Sequence, residues 1–140
     1  MPFETGLLLP ALMQMLSVMA LAYAMGGARF VGARSGRVDM REVVKSGRWP
    51  DKLGVLSDSY NNQFQVPQLF YAVCIILTLV GEVTPVTVGL AWAFVGLRIA
   101  HMLWHNTKNI ILIRFALFVA SGTVLTILVV IALLNILAVS

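Results

Sequence analysis

Tyr60-Asn61-Asn62-Gln63-Phe64-Gln65-Val66-Pro67-Gln68-Leu69-Phe70 sets five amides and a phenol directly ahead of an apolar run that reaches Val80. In water this would be ordinary. At the mouth of a membrane-spanning helix it is costly, because an amide in hydrocarbon must find a hydrogen-bond partner within the protein. The other costly residues, Arg98, His101, His105, Asn109 and Arg114, lie far away in sequence. The fold is expected to bring the two groups together at one membrane face.

The rest of the chain supports a membrane setting. Of 140 residues, 59% are hydrophobic and only 11% are charged, whereas soluble domains carry about a quarter charged residues. Mean hydropathy is +0.89. A span needs about 20 apolar residues to cross roughly 30 Å of hydrocarbon. Four stretches qualify, at residues 5–25, 61–80, 86–105 and 111–139. The expected fold class is therefore all-α, an integral membrane four-helix bundle with one domain over residues 1–140. The first stretch reads as a retained span, since the only charge ahead of it is Glu4 and no basic region precedes it.

Gly26-Gly27 is expected to end the first helix. The long connection, residues 28–60, is punctuated by Ser35-Gly36 and Trp49-Pro50, and Met40, Val43 and Val44 suit one side of a short interfacial helix. Pro85 suits the first turn of the third span. Seven basic residues, Arg29, Arg34, Arg37, Arg41, Lys45, Arg48 and Lys52, fall in the long connection, and Lys108 and Arg114 lie on the same side. The positive-inside rule puts that loop in the cytoplasm and both termini on the opposite side. Basic residues clustered beside spans are topogenic, so no nucleic-acid partner is expected. The single cysteine, Cys74, excludes a disulfide framework within the chain and reads as a small buried apolar residue.

On a helix, Arg98, His101, His105 and Asn109 share one face, being spaced by three, four and four. Arg98 cannot shed its charge, so it must snorkel, pair or line a wet cavity. In the second span Asn61, Gln65 and Gln68 form a matching stripe, either bonding helix to helix or lining a ligand site. No Asp or Glu lies within the spans to neutralise Arg98 and Arg114. Unless acids of the long loop fold back, the missing anion is external, a carboxylate or phosphate arriving from the cytoplasm. His101 and His105 have metal-ligand spacing. No cysteine or carboxylate on these helices completes a set, and the flanking arginine repels cations, so no metal site is expected.

Two separated motifs carry a family resemblance. Asn62-x-x-Gln65-x-Pro67-x-Leu69-Phe70 and Arg98-x-x-His101-x-x-x-His105-x-x-x-Asn109-x-x-x-x-Arg114 resemble the MAPEG family, the membrane-associated proteins of eicosanoid and glutathione metabolism, in a bacterial-type member. The resemblance covers nearly the whole chain. It implies a homotrimer in which glutathione, as co-substrate, binds between neighbouring subunits near the cytoplasmic face. By the same resemblance Asn62 contacts the ligand, Arg98 lines the site and Arg114 is the candidate catalytic residue that stabilises the thiolate; Asn61, Gln65, His101, His105 and Asn109, from the two polar stripes, complete the expected ligand-binding set. The chain departs from the family in carrying Gln65 where glutamate is usual, and histidines at 101 and 105 where the glutathione-active synthases carry tyrosines.

Two functions follow. One is a glutathione-dependent transferase or peroxidase acting on lipophilic electrophiles dissolved in the bilayer. The alternative, motivated by Gln65 and the histidines, is a non-catalytic protein that binds membrane lipids or a small anionic or lipophilic ligand, or an accessory subunit of a larger membrane complex.

Overall fold

The computed structural model describes residues 5–108 and 110–139, and these are helical throughout apart from short turns. Helix α1 (Leu8–Arg34) buries Ala11, Gln14, Val18, Leu21 and Met25, a stripe with helical spacing. It runs through Gly26-Gly27 rather than stopping there. A glycine costs a helix about 1 kcal/mol, but the last turns of α1 have tertiary partners that offset it. Gly32 packs so closely on Val38 and Leu53 that a Cβ would sit 3.1 and 3.2 Å from their methyl groups. Arg29 Nη2 donates to Ser57 Oγ at 2.6 Å, and its guanidinium lies 4.6 Å from the Trp49 ring centroid. The stop comes at Ser35-Gly36, where Gly36 takes a left-handed φ of +69°.

The expected long loop therefore folds into two further helices. In α2 (Met40–Ser46) the Asp39 carboxylate caps the start by accepting from the Arg41 N–H at 2.9 Å, and Gly47 at φ +69° ends it. Only Val43 is buried in it; Met40 and Val44 are exposed. Helix α3 (Asp51–Asn62) follows the Trp49-Pro50 turn, and Gly54 lies so close to that turn that a Cβ would be 2.6 Å from the Trp49 carbonyl oxygen. A backbone oxygen cannot swing aside as a flexible side chain can. Gly54→Ala is expected to open the turn and destabilise this segment by about 1–3 kcal/mol, as overpacking does. The readout is faster trypsin cleavage at Arg48 and Lys52. Gly96→Ala, where a Cβ would meet nothing within 4 Å, should cleave at the wild-type rate.

The second expected span is not one helix. Residues 63–65 form a turn, and α4 (Val66–Leu79) resumes after it for 14 residues. Pro67 is the reason. Its ring collides with the carbonyl four residues back, at Gln63, and its nitrogen has no hydrogen to donate there. Helix α5 (Pro85–Thr107) starts after a tight turn in which Gly81 has φ +77°. Pro85 sits in its first turn as expected. Thr84 and Thr87 close a reciprocal capping box, with the Thr87 N–H on Thr84 Oγ1 at 3.2 Å and the Thr84 N–H on Thr87 Oγ1 at 2.9 Å. Helix α6 (Ile111–Val139) matches the last expected span.

Among the described residues, three helices are long and apolar enough to cross a membrane: α1, α5 and α6. At 1.5 Å per residue α4 covers about 21 Å, less than the roughly 30 Å of hydrocarbon. One face of α4, Phe70, Val73, Cys74 and Leu77, packs into the main core with Ala91, Phe94 and Val95 of α5 and Leu125, Leu128 and Ala132 of α6. The Phe70 and Phe94 rings stack at 4.2 Å between centroids, 19° from parallel.

Candidate functional site

The polar residues of α5 face inward. Arg98, His101 and His105 are all buried, in agreement with their shared face on an unbroken helix. Arg98 is wholly enclosed, and its Nη2 donates to the Asn62 carbonyl at 3.0 Å and to Gln63 Oε1 at 3.4 Å. The same Gln63 oxygen accepts from Gln14 Nε2 of α1 at 3.3 Å. One amide oxygen thus ties α1, the 63–65 turn and α5 together. A buried guanidinium held by neutral acceptors keeps a strong field around it, since among the described residues no acid is paired with it to cancel the charge.

Above this tie, towards the loop side, Asn106 Nδ2 of α5 donates to the buried Ser59 Oγ of α3 at 3.2 Å. The His101 and His105 rings meet edge to face at 6.1 Å, and His101 lies 6.3 Å from the Phe118 ring of α6. Arg98 and Arg114 are both within electrostatic reach of His101, while Arg114 and the loop carboxylate of Asp58 are within reach of His105. Asp58 adjoins Ser59, which Asn106 holds against α5, so an acid of the long connection does lie towards the stripe.

A cleft of about 210 Å³ opens beside these groups, lined by Asn62, His101, Ile111, Arg114, Phe115 and Phe118. Asn62 comes from the end of α3, His101 from α5 and Arg114 from the first turn of α6. One wall thus offers an amide, an imidazole and a guanidinium. The other is apolar, and Ile111, Phe115 and Phe118 are exposed on it. Such a cleft suits an anionic sulfur or oxygen on one side and a lipophilic molecule on the other.

The other predicted residues fall elsewhere. Asn61 is exposed and lines a separate polar hollow of about 480 Å³ with Arg29, Arg48, Trp49, Ser57 and Asp58. Gln65 and Gln68 are exposed. Asn109 lies outside the described residues. The stripe of Asn61, Gln65 and Gln68 assumes a continuous helix, and the turn at 63–65 rotates it out of register. The residues that turn inward instead are Asn62 and Gln63. Gln63 was not among the expected site residues, and Pro67, four positions on, was the signal that could have found it.

A model of the MAPEG family matches residues 7–134. The chain belongs to the MAPEG family. With three membrane-capable helices and this membership, it is an integral membrane protein. No curated protein and no solved structure matches it.

Proposed function

We propose that this bacterial-type MAPEG chain is a glutathione-dependent transferase or peroxidase acting on lipophilic electrophiles that reach it through the bilayer. The observation that carries this is the meeting of Asn62, His101 and Arg114 in one cleft whose opposite wall is Phe115 and Phe118. A guanidinium beside a thiol favours its thiolate. In the transferase reaction the sulfur of glutathione attacks the electrophilic carbon, a C–S bond forms, and the leaving group departs with its electron pair. The thiol proton goes to solvent. Asn62 and His101 orient the peptide by hydrogen bonding, and the phenylalanines hold the acceptor against the sulfur. In the peroxidase reaction two glutathiones reduce a hydroperoxide to alcohol and water and leave as the disulfide.

A cleft of about 210 Å³ is smaller than the roughly 300 Å³ at which pockets for small molecules begin. A tripeptide plus an acceptor therefore needs a further wall. A second copy of the chain would supply it in the homotrimer we propose, with the exposed face of α6 nearby. The same proposal includes four crossings, counting α4 as the second, with the basic segment between α1 and α4 in the cytoplasm and both termini opposite. The domain is the single MAPEG-like unit of residues 1–140.

Full-length protein in mild detergent, given glutathione and a chlorinated aromatic acceptor, tests the enzyme. Wild type should develop thiolate absorbance in the ultraviolet and form the conjugate. Arg114→Ala should lose about tenfold or more of the thiolate, the effect of removing an adjacent cation. Absence of thiolate and equal conjugation by both would overturn it.

The exposure of Gln65, outside the cleft, favours a second function: a non-catalytic lipid- or anion-binding protein, or an accessory subunit of a larger membrane complex. Native mass spectrometry separates the two. A trimer retaining glutathione supports the enzyme, and a retained lipid or foreign subunit without glutathione supports the alternative.

A further inference from the structure

A second concavity, roomier than the Asn62–Arg114 cleft, is found among the described residues. It lies where α1 leaves the membrane. Hydrocarbon about 30 Å thick takes up about 20 helical residues, so a helix entering at Leu8 emerges near Gly27. At that level a cavity of about 640 Å³ opens between α1 and the segment leading into α3. Its floor is apolar, with Gly27, Val31 and Gly32 of α1 facing Val38 and Leu53. Gly27 helps to make the room, since a Cβ there would meet no atom within 4 Å. Its charged lining is Arg37, Asp51 and Lys52. Among the described residues, none of these three side chains has a hydrogen bond or an ion pair. Asp51 holds a φ of +46°, the sole positive value outside glycine among those residues. Backbone held in this region costs of order 1 kcal/mol or more and tends to gather at ligand clamps.

An apolar floor at the hydrocarbon boundary with charges at its water side matches one amphiphile above others. We propose that this cavity holds a membrane glycerophospholipid with an ethanolamine headgroup. Arg37 and Lys52 take the phosphodiester, the Asp51 carboxylate takes the primary ammonium, and an acyl chain lies over the Gly27 face. Each sign in the headgroup meets its opposite, with two cations on the phosphodiester and one carboxylate on the ammonium. Two cations and an anion suit a headgroup that carries both signs, and an ammonium with hydrogens can donate to Asp51 where a quaternary choline cannot. A phosphatidylglycerol brings Asp51 only neutral hydroxyl donors and no cation. The volume lies within the range of about 300–1,000 Å³ typical of ligand pockets. The site is independent of the glutathione cleft, and its test uses no activity.

Native mass spectrometry of the full-length protein, released from micelles loaded with one lipid at a time, reads it. Phosphatidylethanolamine, phosphatidylcholine and phosphatidylglycerol of matched chains are compared with inorganic phosphate. Ethanolamine lipid should be retained at collision energies that strip choline lipid. The double variant Arg37→Gln, Lys52→Gln should weaken retention about tenfold, the effect of losing charge-assisted hydrogen bonds. Asp51→Asn should erase the advantage of ethanolamine over glycerol headgroups. Gly27→Leu should lower retention of all three lipids, while Gly26→Leu, a neighbouring position outside the cavity that is equally free of contacts, should leave it unchanged. That pair makes the same change to the helix, so unequal retention cannot come from helix stability alone. Equal retention of ethanolamine and choline lipids, or identical behaviour of the two leucine variants, would overturn the proposal. Displacement of lipid by the same concentration of inorganic phosphate would make this a free-anion site. A changed oligomer mass in Gly27→Leu with unchanged lipid retention would assign the cavity to a second copy. Either result also overturns it.

Discussion

Gln63→Leu is expected to destabilise the folded chain by about 3 kcal/mol, the order seen when a buried charge loses a partner. Leucine nearly matches glutamine in volume, so little packing is lost. What is lost is the one oxygen that accepts from both Arg98 Nη2 and Gln14 Nε2. Both donors belong to fully buried side chains, and no water can replace the acceptor without opening the bundle. Arg98 would keep only the Asn62 carbonyl. The 3.4 Å length of its bond to Gln63 keeps the expected loss at the lower end of the range of about 3–5 kcal/mol for broken buried pairs. The sign of the second substitution is the stronger test. Arg98→Met placed in the Gln63→Leu background should recover most of the stability, because it removes the stranded charge. Gln14→Leu in that background should recover less, since a neutral amide costs less to strand. Thermal unfolding of all four proteins in one detergent measures this. A Gln63→Leu variant that unfolds at the wild-type temperature would mean that the tie holds nothing.

The same residue shows where sequence reading succeeds and stops. The α5 stripe was legible because helical periodicity runs unbroken from Pro85 to Thr107, so spacings of three and four placed Arg98, His101 and His105 together. The same rule fails for the second stripe, because Pro67 interrupts the helix it assumes. One missing stretch of helix sends Asn61 and Gln65 outward and Gln63 inward. The end of α1 departs from the expected stop for a related reason. Gly26-Gly27 weakens a helix locally, but Arg29, Gly32 and their partners on α3 hold it together, and those contacts bridge residues too distant for local pattern to reveal. The helix stops where glycine takes a left-handed conformation, at Gly36, rather than where glycine merely occurs. For the candidate site, charge and polarity mark out polar residues at one end of the helices. Which of them share a cleft depends on how α3, α5 and α6 cross, and Asn62, His101 and Arg114 are brought together only by that crossing.

Phe94→Ala should be as damaging as the loss of Gln63, by a different route. Phe94 is fully buried and stacks on Phe70. Truncating a core phenylalanine in a soluble protein costs about 3–5 kcal/mol, partly from transfer to water and partly from the cavity left. Within a bilayer the transfer part shrinks, because lipid is as apolar as the core. The cavity and the lost ring stack remain, the latter about 1 kcal/mol, so about 3 kcal/mol is expected. Leu134→Ala on the exposed side of α6 should change stability by less than about 0.5 kcal/mol, as substitutions away from packed features do. The consequence reaches beyond stability. Helix α4 is too short for the bilayer to hold it by length, so its core face, with Phe70 at the start, is what fixes it. The chain enters α4 directly from the turn that carries Gln63 and follows Asn62. Loosening Phe70 should therefore free the Asn62 side of the cleft as well. Phe94→Ala is expected to weaken the glutathione binding proposed for the cleft at temperatures well below its unfolding transition, although Phe94 does not line the cleft. Titration of glutathione by calorimetry, with Leu134→Ala as the reference, measures it. Unchanged affinity in Phe94→Ala would separate the core from the site and leave α4 with a purely structural part.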